Sequence, residues 1–126
     1  MKAKMYFDGG CRPNPGKMKI AVIFLGSYEL HTIEELPDQG TNNLAEWIAF
    51  VSGLQAAVNV GIDELEVYGD SQLVVNQFKG DYRVKKEELK PLYEKAIELA
   101  KNFKSLSITH VPRGTNIAGI YLEENY

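Results

Sequence analysis

The chain alternates apolar and polar residues at its start, in AKMYFD at 3–8, and then carries the apolar run MKIAVIFL at 18–25 and the mixed run SYELHTIEEL at 27–36, which meet at Gly26-Ser27. Period-two alternation and short β-rich runs bounded by turn formers predict a three-strand meander. GGCRPNPG, rich in turn residues, connects its first two strands. After the loop PDQGTNN, Leu44, Trp47, Ile48, Val51, Leu54 and Val58 fall on one helical face, with Asn42 or Asn43 as the cap and Gly61 as the stop. ELEVYG at 64–69 predicts a strand ending at Asp70, and SQLVVNQFKG a short helix begun by Ser71 and closed by Gly80. Leu89, Leu92, Tyr93, Ala96, Ile97, Ala100 and Phe103 form the stripe of a second long helix, with Pro91 near its start, and SLSITHV at 105–111 is the last strand. His110 stands in phase with Leu106 and Ile108, which predicts a buried, hydrogen-bonded histidine, and Trp47 on its stripe reads as core.

The order βββαβααβ, with room for one more helix, implies an α/β fold with a five-stranded mixed sheet, an antiparallel meander extended by parallel strands and flanked by helices. Parallel neighbours bring their carboxyl ends to one edge, where open α/β sheets place ligands. Asp8 and Asp70 both end such strands. Glu46 lies in the first turn of the long helix, off its apolar stripe, and is free to point along the same edge.

Composition narrows the setting. The 126 residues make one ordinary domain, 1–126, and the single Cys11 excludes an internal disulfide. The longest apolar run, IAVIFL at 20–25, is too short to span a bilayer, so a soluble, cytoplasmic protein is expected. A net charge of −3 argues against a protein that wraps nucleic acid, yet no Lys or Arg occurs between Ile20 and Phe78, while Lys79, Arg83, Lys85, Lys86 and Lys90 crowd together afterwards. One region is suited to phosphates and another stays acidic.

Three carboxylates meeting without a basic neighbour repel one another unless a cation is present. Oxygen-only ligation suits Mg²⁺ or Mn²⁺, which supports in-line phosphoryl transfer. Taken singly, Asp8, Glu46 and Asp70 also read as turn or cap residues, and spacing alone does not show that they meet.

YFDGGCRPNPG, TNNLAE and GDSQLVVNQ resemble, in order and context, the three signature segments of type 1 ribonuclease H. The likeness runs from about Met5 to Asn116, and DYRVKKEELKPLYEKAIELAKNF resembles the short archaeal-type members that lack a basic protrusion. The resemblance implies a ribonuclease H-like fold and metal-dependent cleavage of the RNA strand of RNA/DNA hybrids, leaving 5′-phosphate and 3′-hydroxyl ends. It further implies that Asp8, Glu46 and Asp70 are the catalytic metal ligands. Cys11, Asn14, Asn43 and Gln72 would face the minor groove of the hybrid, where 2′-hydroxyls mark the RNA strand. Thr41 and Asn42 would hold a phosphate of the DNA strand, and Arg113 would stand near the scissile phosphate.

The family pattern after the last strand places a fourth metal-site Asp where this chain has Ile120, and an Ala where it has Gly119. The closing helix of the family has room here for no more than a turn or two. Glu123 or Glu124, one turn beyond Ile120, is a possible substitute ligand. The alternatives are a slower three-carboxylate site, or a weakened or inactive relative that binds hybrid or serves in assembly. An apolar strip left by a shortened helix would offer a surface for a homo-oligomer.

Overall fold

The computed structural model describes residues 1–126. Its elements are β1 (Lys2–Cys11), β2 (Gly16–Gly26), β3 (Leu30–Gly40), α1 (Asn42–Val60), β4 (Glu64–Gly69), α2 (Gln72–Lys79), α3 (Lys90–Ala100), β5 (Ser105–His110) and α4 (Ile117–Glu124). A single 3-10 turn at Arg113–Thr115 leads into α4.

The five strands form one sheet in the order β3-β2-β1-β4-β5. β1, β2 and β3 pair antiparallel, and β4 lies parallel to both β1 and β5. Alternation in β1 sends Ala3, Met5 and Phe7 into the main core, where they meet α1 residues Trp47, Phe50 and Leu54. The opposite face carries Tyr6 stacked on Tyr68, and beside it α4 seals Ala21 and Ile23 with Ala118 and Leu122. No helix is long and apolar enough to cross a membrane.

Four local expectations need correction. Thr41 caps α1, its hydroxyl accepting from the Leu44 amide at 3.2 Å, because an extended residue before the first turn is needed and Asn42 is already helical. The deep face of α1 is Ala45, Trp47, Ala49, Phe50, Gly53, Leu54 and Ala57, while Leu44, Ile48, Val51 and Val58 are half-buried. The helix presses its small residues on the sheet: a Cβ on Gly53 would stand 2.5 Å from the Met5 sulfur. Residues Pro37, Asp38 and Gln39 belong to β3, since an edge strand tolerates proline and Gly40 still pairs with Gly16. His110 is exposed, because it is the last residue of edge strand β5, whose one fully buried side chain is Ile108.

Candidate active site

In the parallel pairing of β1 with β4, Phe7 lies opposite Gly69, so the residues that follow, Asp8 within β1 and Asp70 just past β4, arrive at the same point of the sheet edge. Phe7 fills the place a side chain on Gly69 would need, since a Cβ there would stand 2.5 Å from its ring. Glu46 joins from the first turns of α1. Gly9 permits the approach: a Cβ on it would lie 2.3 Å from the Ala45 carbonyl oxygen, and its amide donates to Glu46 Oε1 at 2.8 Å.

One carboxylate oxygen from each of Asp8, Glu46 and Asp70 lies within 4.8 Å of the other two. Asp8 and Glu46 are buried. Burial, and then the charge of Asp70, push the Asp8 carboxyl up to about 6, against the opposing pull of Glu46, Arg113 and the Gly9 amide. Burial first, then Asp8 and Asp70, hold Glu46 well above the usual carboxylate range. Such a group wants a proton or a cation. All-oxygen donors at this separation fit a hard divalent ion, which would relieve both the desolvation and the repulsion.

Asn116 fixes the geometry from the far side. It is fully buried, and its side-chain amide donates to the Phe7 carbonyl at 3.0 Å and to Asp70 Oδ2 at 3.2 Å. Its own carbonyl oxygen caps α4 by accepting from Ala118 at 3.2 Å. In the sequence Asn116 only marks where the family likeness ends, although an Asn directly before IAGIYL is a helix-start signal. Gly119 is the α4 residue turned toward the acids, where a Cβ would stand 3.3 Å from Asp8 Oδ2 and 3.4 Å from Asp70 Oδ2. Ile120 is 44% exposed. Glu123 is exposed and its carboxylate is engaged by Arg12, so it stands apart from the three-acid group; Glu124 is exposed too.

The remaining candidates fall into two places. Cys11 is buried and ties the glycine-rich turn to the start of α1: its amide donates to Asn42 Oδ1 at 2.9 Å, and its sulfur lies 3.3 Å from the Gly40 carbonyl and 3.4 Å from Asn14 Oδ1. Asn14 Oδ1 also accepts from the Asn42 amide at 3.2 Å. Thr41 caps α1 by accepting from the Leu44 amide, which leaves its O–H as a donor at the start of the helix. Arg113 is exposed and, with Asp8, Glu46, Asn42 and Tyr126, lines a cleft of about 200 Å³. Asn43 instead borders a wider hollow of about 560 Å³ with Tyr82, Arg83, Lys85 and Lys86, and Gln72 is exposed in the first turn of α2. This basic loop is held by Gln77, a buried residue missing from the sequence reading, which accepts from Trp47 Nε1 at 2.8 Å and donates to the Arg83 carbonyl at 3.3 Å. Trp47 is core, as its stripe implied.

Asp8 does not end its strand, as the sequence suggested, but lies within β1 just where the pairing with β4 stops, and Asp70 follows the last residue of β4; with helix-borne Glu46 beside them they define an α/β domain with an acid-lined cleft. The family model described as "Reverse transcriptase-like" matches residues 6–122. Ribonuclease HI of Halobacterium salinarum is 40% identical over 114 residues, covering 88% of this chain and 57% of that protein. The chain thus spans little more than half the length of that relative. The crystal structure of RNase H1 from the same archaeon superposes with a TM-score of 0.89 at 34% identity, covering 97% of this chain and 94% of that one. LC11-RNase H1, solved in complex with RNA/DNA hybrid, gives a TM-score of 0.81 at 32% identity over 90% of this chain and 88% of that one. The chain belongs to the reverse transcriptase-like family and, within it, to the type 1 ribonucleases H.

Proposed function

We propose that this domain hydrolyses the RNA strand of RNA/DNA hybrids, with Mg²⁺ or Mn²⁺ held by Asp8, Glu46 and Asp70. The observation that carries the reading is the convergence of these three carboxylates, two of them buried, within 4.8 Å of one another, with Asp8 and Glu46 lining a cleft beside Arg113. The hybrid as substrate is supported by the hybrid-bound LC11 relative.

Bound there, the cation supplies an activated water and offsets charge on the phosphate. The chain's own residues do the rest. The Gly9 amide aims Glu46, and Asn116 ties Asp70 to the Phe7 carbonyl of β1. Water adds in line to the phosphorus of an RNA phosphodiester and the bond to O3′ breaks, so the cut ends carry 5′-phosphate and 3′-hydroxyl. Arg113, at the mouth of the cleft, is placed to balance the charge gathering on the phosphate oxygens. Asn14, Asn43 and Gln72 face solvent with groups that both donate and accept, the chemistry that reads 2′-hydroxyls in a minor groove. Cys11 and Asn42 serve this surface by fixing the turn that carries Asn14. Arg83, Lys85 and Lys86 supply positive charge for the phosphate backbone beside Asn43.

A weakened enzyme is the second reading, because Gly119, the α4 residue that faces Asp8 and Asp70, has no side chain and no fourth carboxylate joins the group. Incubation with labelled hybrid and Mn²⁺, beside an Asp70→Asn variant, tests hydrolysis. Cleavage by the wild type, lost in the variant, is the expected result; equal cleavage in both, or binding without cleavage, overturns it.

A further inference from the structure

Next to the acids, a second hollow of about 410 Å³ is lined by Arg12, Arg113, Gly119, Ile120, Glu123 and Glu124. Arg12, Arg113 and Glu123 also line the cleft that holds Asp8 and Glu46, so the two spaces share a wall made of two guanidiniums and one carboxylate. Arg113 makes no ion pair. Arg12 is bound by the Glu123 carboxylate and lies over the Tyr126 ring, 4.1 Å from its centroid. Lys19 anchors the same segment by donating to the Asn125 carbonyl at 2.7 Å.

We propose that Arg12 is a substrate-positioning residue that grips a phosphate of the cleaved strand beside the one attacked, and that Glu123 holds its place until that phosphate arrives. The inference rests on the hybrid-hydrolysis reading. Three features of the site favour it. The guanidinium presents a planar fork that fits carboxylate and phosphate alike, so Glu123 poses Arg12 as a phosphate oxygen would. Stacking on Tyr126 keeps the fork from collapsing into solvent when the carboxylate leaves. The Arg12 and Glu123 side chains are 55% and 56% exposed, and an ion pair so open to water is weak enough for a strand already docked through other phosphates to displace. Glu123 is therefore an internal competitor, one negative charge beside a surface that must receive a polyanion.

Steady-state cleavage of labelled hybrid at several salt concentrations separates this from a purely structural pin. Arg12→Ala is expected to raise KM about five- to tenfold, the worth of one charge-assisted phosphate contact, with kcat changed less than about twofold. Its slope of log KM against log salt should fall by about one. Glu123→Gln should act in the opposite direction and lower KM about two- to threefold. If both substitutions lower the melting temperature alike while KM and the salt slope stay at wild-type values, the trio only pins the segment after α4 and the proposal fails. It fails equally if Glu123→Gln weakens binding as Arg12→Ala does. A wild type that binds hybrid without cutting removes the hydrolysis reading alone; fluorescence anisotropy across the same salt series then reads Arg12, and equal affinities and slopes for wild type and Arg12→Ala overturn the grip. A wild type that neither cuts nor binds overturns both.

Discussion

Gly9 donates its amide to Glu46 Oε1 at 2.8 Å from a backbone pressed so close to α1 that a Cβ would stand 2.3 Å from the Ala45 carbonyl oxygen. The glycine sets both the distance between β1 and α1 and the aim of the glutamate. Gly9→Ala must push α1 away from the strand, a backbone clash that no side-chain rotation relieves. A loss of about 2–3 kcal/mol of stability is expected, as for overpacking of a tight interface. Activity should drop at least about a hundredfold, since a displacement near 1 Å suffices for that. Urea denaturation and hybrid cleavage check the two parts.

Asn116 is the next joint. Asn116→Ala leaves the buried Phe7 carbonyl without its donor, removes the cap of α4 and frees Asp70. A cost of about 2–4 kcal/mol follows from one unpaired buried group and one lost cap. Asn116→Asp keeps the cap but sets a carboxylate against Asp70, so it should be less stable at pH 8 than at pH 5. Thermal melts at the two pH values test this; a pH-independent loss would contradict it.

The acids also make the metal-free protein sensitive to pH. Asp8 sits near 3.8 when unfolded and about 6 when folded, so the folded state binds the extra proton. Stability is then highest below about pH 4 as far as this group is concerned, and it is lost as pH rises to 6. The loss is on the order of 3 kcal/mol. Glu46 is shifted in the same direction and adds to it. In EDTA the melting temperature should fall between pH 5 and pH 8, and Mg²⁺ or Asp8→Asn should restore much of it at pH 8. Identical melts with and without Mg²⁺ at pH 8 would count against a cation at this site.

Positions 119 and 120 differ in what they permit. Gly119→Asp would force a Cβ to 3.3 Å from Asp8 Oδ2 and crowd a fourth charge onto the pair, so it should destabilise. Ile120 is 44% exposed and borders the hollow beside the cleft, so a carboxylate there keeps contact with water. Ile120→Asp is expected to raise kcat and lower the Mg²⁺ concentration needed for half-maximal cleavage. No change in a folded variant would place the limitation elsewhere in the site.

A dimer through the sheet face beside α4 remains a proposal for sedimentation to check. Tyr6 and Tyr68 line that face and are half-buried in the single chain. A concentration-independent monomer would rule it out.

Local signals along the chain determined much of this protein. Strand alternation, the glycines at 61 and 80, the Ser71 cap and the sequence segments around Asp8, Glu46 and Asp70 are properties of a few neighbouring residues, and they specified the element order and the candidate acids. The tertiary structure decided what depends on two elements at once. Period alone selected the large residues of α1 as its buried face; Trp47 and Leu54 are buried as expected, but the close approach to the sheet buries Ala45, Ala49, Gly53 and Ala57 beside them and leaves Leu44, Ile48, Val51 and Val58 half-buried. His110 matched the phase of a core residue, but its strand lies at the edge of the sheet. Glu123 was one helical turn from Ile120 and thus a plausible ligand, but α4 sets its carboxylate against Arg12, more than a hundred residues away in sequence. Asn116 and Gly9 likewise draw their meaning from partners on other elements. Sequence periodicity reports which residues share a face; only packing reports what that face meets.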